Sequence, residues 1–459
     1  MQNDNRFLGT EPVGKLLFRL ALPAVAAQLI NMLYNIVDRI YIGHMAVEGD
    51  LALTGVGICL PIILLISAFA YLVSAGGAPR ASIAMGRGDM GESERIMGSC
   101  LALQVILSLG LTAVLLLWSR ELLLAFGGSE NTIDYGVSYL NTYAVGTIFV
   151  QLTLGMNAYI TAQGFAKTSM CTVLIGAVCN IILDPVFIFG LNMGVRGAAL
   201  ATVLSQAISC CWVMSFLCGK KTFWRIRREN LRFHWKLLAP CLALGLSPFI
   251  MQASESVVFV CFNASLLKYG GDVAVGAMTI LTSVMQFALL PLQGLGQGAQ
   301  PITSYNYGAR NVQRVKEAVF LLLKTSIAYA VVLWLLVLFL PELFAGMFTP
   351  DPELLTFSCQ VLPVYCGAMV IFGIQTACQL TFVAIGYAGS SILVAVVRKF
   401  VLLLPLIYLM PNLTENKTLG VYMAEPVADV LAVIFTGVLF SIQFRKALHT
   451  MKDSQKGSV

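Results

Sequence analysis

Apolar runs long enough to cross the roughly 30 Å hydrocarbon core of a bilayer recur along the whole of this 459-residue chain. No water in that core can satisfy backbone polar groups, so only helices or a closed barrel can cross it. Runs this long and continuous read as helices, not short alternating strands. Hydrophobic side chains make up 58% of the residues and charged ones only 11%, and the mean hydropathy of +0.82 lies well above that of soluble domains. The expectation is an all-α polytopic membrane protein. The longest polar interval, 219–236, is too short for a soluble catalytic domain, and no G-x-x-x-x-G-K-[ST] phosphate loop occurs.

Crossing helices are predicted at 16–43, 51–77, 96–118, 135–162, 169–189, 197–217, 238–266, 273–303, 318–340, 354–384, 391–410 and 419–444, twelve in all. No small-residue cleavage site closes the first run, so it is read as a retained span. Pro23 near its start predicts a bend, because proline lacks a backbone donor and crowds the preceding turn. Lys and Arg concentrate in 80–95, at Lys167, and in 220–236, 310–316 and 445–456, whereas the alternate connections hold Arg120, Arg196, Lys268 and Lys417. That bias puts both termini in the cytoplasm and makes the net charge of +6 a topology signal, not a nucleic-acid surface. The twelve cysteines lie in or beside apolar segments with no C-x-x-C, and His44, His234 and His449 are isolated. They read as small buried hydrophobes and give no metal site.

The chain also repeats itself. Gly76-Gly77-Ala78-Pro79-Arg80-Ala81-Ser82 with Gly86 recurs as Gly298-Ala299-Gln300-Pro301-Ile302-Thr303-Ser304 with Gly308, at an offset of 222. At the same offset Asp50-Leu51-Ala52 matches Asp272-Val273-Ala274, and Tyr143 with Gly164 matches Tyr365 with Gly386. Six spans separate equivalent points, so the two copies enter the membrane from the same side and form two pseudo-symmetric six-helix lobes. The expected division is an N-lobe over 1–218 (helices 1–6), a basic cytoplasmic linker over 219–237, and a C-lobe with a short tail over 238–459. A site is expected between or within the lobes near mid-membrane.

One stretch breaks the apolar pattern. In Cys179-Asn180-Ile181-Ile182-Leu183-Asp184-Pro185 an amide and a carboxylate stand four residues apart and share a helix face. An ionised carboxylate in hydrocarbon costs roughly 3 kcal/mol on insertion scales, so Asp184 should face the interior or a water-filled cavity and have a partner. Asp38, inside the first span, is the expected one. Its neighbour Arg39 points about 100° away on a helix. With Pro185 aligned to Pro405, the second half offers Phe400 and Leu404 where the first has Asn180 and Asp184. A requirement of the scaffold would appear in both halves, so the asymmetry points to function.

Several motifs carry a family resemblance: Leu22-Pro23, Asn31-Met32-Leu33-Tyr34-Asn35, Val37-Asp38-Arg39-Ile40-Tyr41-Ile42-Gly43, the paired glycine-proline motifs, Ala162-Gln163-Gly164 and Gly194-Val195-Arg196-Gly197-Ala198-Ala199. In order and spacing the chain resembles, over nearly its whole length, the multidrug and toxic compound extrusion (MATE) family of the MOP-flippase-like fold, and most its MepA-like bacterial branch. The resemblance implies a monomeric exporter in the bacterial cytoplasmic membrane. It would move amphipathic or cationic small-molecule drugs by rocking of the lobes, with H+ or Na+ as coupling ion and no other cofactor. It also implies a cation-coupling site at Asp38, Asn180, Asp184 and Thr202, with Tyr34, Asn157 and Pro23 nearby. Some branches use acidic groups in the second lobe; Glu255 matches one, but 354–384 holds no Asp or Glu to partner it.

In chemical terms, two carboxylates out of water can share a proton, or with the oxygens of Asn180 and Thr202 they can ligate an alkali cation. Either ion would weaken their attraction for a cationic drug, and that competition couples the two flows. Glu255 reads equally as a substrate or proton contact and as packing. Met156, Tyr139, Met251, Met285, Phe287 and Phe372 are candidates to line an adaptable cavity facing drug and membrane lipid. Glu425 and Asp429, one turn apart, and Arg398 with Lys399 on the neighbouring span read as a structural ion-pair cluster, and Lys324 as a snorkelling side chain. A lipid-linked oligosaccharide flippase would want Arg or Lys at the centre, where this chain is acidic and amide-rich. A membrane enzyme would want H-E-x-x-H or a carboxylate-rich metal motif, and neither occurs.

Overall fold

The computed structural model describes residues 6–43, 49–126, 132–349 and 351–456, and every regular element among them is helical. After a short helix, Phe7–Thr10, the first lobe comprises α1 (Val13–Gly43), α2 (Gly49–Gly86), α3 (Met90–Ala125), α4 (Ile133–Val145 and Thr147–Ala162), α5 (Ala166–Pro185, extended by a wide turn Val186–Gly190) and α6 (Val195–Cys218). One helical run, Trp235–Gly308, then carries 74 residues. At 1.5 Å per residue it would reach about 110 Å, more than three times the bilayer core, so it must fold back. It does so at Gly271, where φ is 66° and ψ is −163°, giving α7 (235–270) and α8 (272–308). The second lobe is completed by α9 (Val312–Phe339), α10 (Pro352–Tyr365 and Met369–Ala384), α11 (Ala388–Val396, a wide turn Val397–Leu403, and Leu404–Leu413) and α12 (Lys417–Lys456).

Among the described residues these form twelve spans in two six-helix lobes, but two details differ from the sequence reading. The basic connection expected over 80–95 is mostly helix. Only 87–89 turns, with Gly88 at φ 84° and Asp89 accepting the Glu92 N–H at 2.8 Å. Its repeat shows the same device 222 residues on, with Arg310 at φ 58° and Asn311 accepting the Arg314 N–H at 3.2 Å. The predicted spans 135–162 and 354–384 are not straight: α4 bends by 57° and α10 by 53° at equivalent places, beside Gly146 and Gly367. Pro23 lies within the helical element α1.

Packing shows how the lobes are held. Ile42, Val56, Leu140 and Ala198 belong to a core confined to the first lobe, and Phe262, Met278, Tyr365 and Tyr422 to one confined to the second. Toward the face that carries the basic connections, Leu16, Val73 and Met97 share a single core with Leu238, Cys241 and Ile302. The lobes are therefore joined at the basic face. Glycines make the junction close: a Cβ on Gly86 would run into the Tyr305 carbonyl, and one on Gly308 into the Ile83 carbonyl, the same contact made twice about the pseudo-twofold axis. Gly294 and Gly298 of α8 press on Val25 and Ala21, so buried Pro23 sits where α1 crosses the other lobe.

The linker is docked on the first lobe. The Gln163 Oε1 accepts from the Thr222 hydroxyl at 2.8 Å, the Phe223 N–H at 2.7 Å and the Trp224 N–H at 3.1 Å, and Trp224 is fully buried edge-on to Tyr159. The segment before α1 ties to the second lobe instead: Arg314 donates to the carbonyls of Leu8 at 3.1 Å and Glu11 at 2.7 Å.

Candidate cation and substrate site

Three elements bring the polar set of the first lobe together. α5 presents Asn180 and Asp184 on one face just before Pro185 and the wide turn, α6 faces them with Thr202, and α1 packs alongside with Asp38. The Asn180 amide Nδ2 donates to Asp184 Oδ1 at 3.2 Å and lies 3.4 Å from Thr202 Oγ1, while the Thr202 hydroxyl donates to the Ala198 carbonyl at 3.1 Å. Asp38 stands within hydrogen-bonding reach of Asp184. Asn180 and Asp184 are buried, yet Asn180 Oδ1 and Asp184 Oδ2 receive no donor.

Burying such oxygens unsatisfied costs roughly 1–3 kcal/mol each, more when charged. Two carboxylates facing one another add Coulomb repulsion. A proton on the pair, or a cation among the oxygens of Asp38, Asn180, Asp184 and Thr202, removes both penalties. The donor set is all hard oxygen, which suits an alkali ion and not a soft transition metal.

The other expected residues divide. Tyr34 lies beside Asp38 and Asp184, with Tyr71 and Tyr143 next to it. Tyr139, expected as a drug contact, instead reaches Thr202 with its hydroxyl and belongs to the polar set. Asn157 stands apart from that set: its amide donates to the Ser169 carbonyl at 3.4 Å, about 16 Å below Asn180 along α5. Met156 and Met285, expected to line a cavity, are buried in closed cores because their flexible side chains fill gaps between helices. Met251 is half-buried and Phe287 partly exposed, whereas Phe372 is buried under the Arg398 guanidinium, 4.6 Å from its ring centre. Tyr71 and Tyr143 were missed as site residues; Tyr143 carried a signal only as a repeat anchor matching Tyr365, and Tyr71 only as an aromatic in an apolar run.

In the second lobe the expected ion-pair cluster forms and extends further than the sequence indicated. The Arg398 guanidinium meets Asp429 at 2.8 Å and Glu425 at 3.2 Å, and Lys399 Nζ meets Glu255 at 2.7 Å. The wide turn Val397–Leu403 on α11 aims the two adjacent bases at different elements, α12 and α7. Glu255 therefore has a basic partner on α11, in place of the missing acid on α10.

A polytopic helical protein of two pseudo-symmetric lobes, with a buried oxygen site set within one of them, has the geometry of a membrane transporter. The chain belongs to the MatE family, whose model matches residues 23–186 and 248–409, one stretch in each lobe. It is 24% identical to the multidrug export protein MepA of Staphylococcus haemolyticus, over 97% of each chain. It is 25% identical to the FAD transporter of Shewanella oneidensis, over 93% of this chain and 94% of that one. A crystal structure of a MATE protein in the bent conformation superposes with a TM-score of 0.92 at 21% identity, covering 98% of this chain and all of that one.

Proposed function

We propose that the protein is a secondary multidrug exporter that moves amphipathic, cationic compounds out of a bacterial cell in exchange for H+ or Na+ entering through the first-lobe site. The basic face and both termini lie in the cytoplasm, following the Lys and Arg bias. The core shared at that face supports reading this as the state closed to the cytoplasm, and rocking about the glycine contacts would open it.

The observation that carries this reading is the pair of buried, unsatisfied oxygens on Asn180 and Asp184 facing Asp38, at positions where the second half has Phe400 and Leu404. An ion bound there neutralises the site, and its release restores a negative centre beside the path of a cationic drug. The likeness to MepA supports the substrate class. The likeness to an FAD transporter does not redirect it, because an anionic pyrophosphate would need a net positive site, and the charges at membrane depth are mostly acidic: Asp38, Asp184, Glu255, Glu425 and Asp429 against Arg398 and Lys399.

The test uses purified protein in liposomes, following a fluorescent organic cation under an imposed H+ or Na+ gradient, each alone, for wild type, Asp38→Asn and Asp184→Asn. Transport driven by one gradient and lost in both variants supports the reading and identifies the ion. Transport that survives both substitutions refutes it.

A further inference from the structure

The second lobe holds five buried or half-exposed charges: Glu255, Glu425 and Asp429 against Arg398 and Lys399. Three carboxylates face two cations, so the ionised network is one positive charge short. Its members are unequal. Arg398 is locked, with two carboxylates on its guanidinium and the Phe372 ring beneath it. Lys399 is a point charge on a flexible stem with one short bond, to Glu255.

Glu255 differs from the rest in exposure: its side chain is 53% exposed while that of Lys399 is 3% exposed. It lies on α7 six residues beyond Phe249, whose ring meets Phe69 of the first lobe at 5.2 Å. An ionised carboxylate that open at mid-span is stable only against water and not lipid, which puts a wet surface at this point of the second lobe. Asp429 Oδ2, at the other end of the network, receives no donor. A cation arriving at Glu255 would therefore meet a carboxylate already held from behind by a lysine, with a second acid, Glu425, on the far side of that lysine.

We propose that Lys399 is a tethered cation that occupies Glu255 in the empty transporter, and that substrates carrying a cationic N–H donor bind the second lobe by displacing it. It rests on the reading of the chain as an exporter of organic cations. Displacement replaces one charge-assisted hydrogen bond by another, which a protonated amine or amidinium can do and a quaternary ammonium or phosphonium cannot. The incoming charge completes neutrality in a network that lacks one cation. The second lobe then selects substrate, and the coupling ion is left to the first.

The experiment is equilibrium binding to the full-length protein in detergent, without any gradient, using proflavine as the N–H donor cation and tetraphenylphosphonium as the cation without a donor. Lys399→Met is expected to tighten proflavine binding about tenfold by removing the competitor, and Glu255→Gln to weaken it about tenfold. The double variant should match Glu255→Gln, Lys399→Arg should match wild type, and tetraphenylphosphonium should respond less in every case. Repeating the series in Asp38→Asn separates this inference from the antiport reading: coupling would be lost there while the Lys399 effect on binding persists. Unchanged or weaker proflavine binding in folded Lys399→Met, or an equal gain for tetraphenylphosphonium, overturns the proposal.

Discussion

The two lobes follow one chain path down to the turns at Gly88 and Arg310, yet they treat buried charge in opposite ways. In the second lobe the membrane-depth carboxylates Glu255, Glu425 and Asp429 are each met by a side-chain cation, at 2.7 to 3.2 Å. In the first lobe Asp184 is met by an amide and by another carboxylate, and oxygens of Asn180 and Asp184 are left without donors. A buried ion pair is complete without help from outside. An unsatisfied acidic site is complete only when something mobile enters it, and so it can transmit the presence of an ion to the rest of the structure. The same scaffold thus carries one site whose acids already hold side-chain cations and one in which Asp184 is met by an amide and a second carboxylate.

The largest effect expected from this difference is on stability. Arg398→Met strips the cation from Glu425 and Asp429 and should destabilise the protein by about 3–5 kcal/mol, read as a lowered unfolding midpoint in detergent. Asp184→Asn, which relieves repulsion instead of creating it, should leave the midpoint unchanged or raise it. Equal losses in the two variants would erase the contrast between the lobes.

Next in size is function. Asp184→Asn should reduce gradient-driven transport about a hundredfold while leaving binding of the organic cation measurable. The two assays therefore move in opposite orders for the two lobes.

Much of this contrast was legible in the sequence. The twelve spans, the repeat and the pairing of Asp38 with Asn180 and Asp184 follow from hydropathy, from an offset of 222 and from the expense of a carboxylate in hydrocarbon. Arg398 and Lys399 with Glu425 and Asp429 were legible as a cluster for the same reason. The link to Glu255 was not. Adjacent side chains on a helix diverge by about 100°, and which helix packs against the Lys399 side of α11 is a long-range neighbour that leaves no trace in residue spacing. The roles of Met156 and Met285 were also hidden, since a methionine in a core and one in a cavity have the same sequence context. Gln163 reads as one polar residue in a motif, but its three acceptor contacts fix the linker to the first lobe, a long-range fact that only the folded chain reveals.

A smaller effect tests the shared scaffold. Gly308→Ala places a methyl group against the Ile83 carbonyl and should cost about 1–3 kcal/mol of lobe contact, seen as faster amide hydrogen exchange at the ends of both α2 and α8. Gly86→Ala should give the mirror-image pattern, because the contact is made twice. Exchange confined to one helix would break the pseudo-symmetry.

The smallest expected effect is the most informative about the ion. Thr202→Ala removes one neutral oxygen and should weaken ion affinity severalfold, about 0.5–1.5 kcal/mol, if that oxygen ligates Na+. It should change little if a proton shared by Asp38 and Asp184 is the coupling species, since the carboxylates alone can hold it.

The most direct test of the central claim is to count ions displaced when an organic cation binds. Protein in detergent would be loaded with H+ or radioactive Na+, and release followed on adding proflavine, for wild type, Asp184→Asn and Glu255→Gln. The account predicts release from wild type and from Glu255→Gln, with none from Asp184→Asn. Release that survives Asp184→Asn and disappears in Glu255→Gln would place the coupling ion in the second lobe and contradict the account.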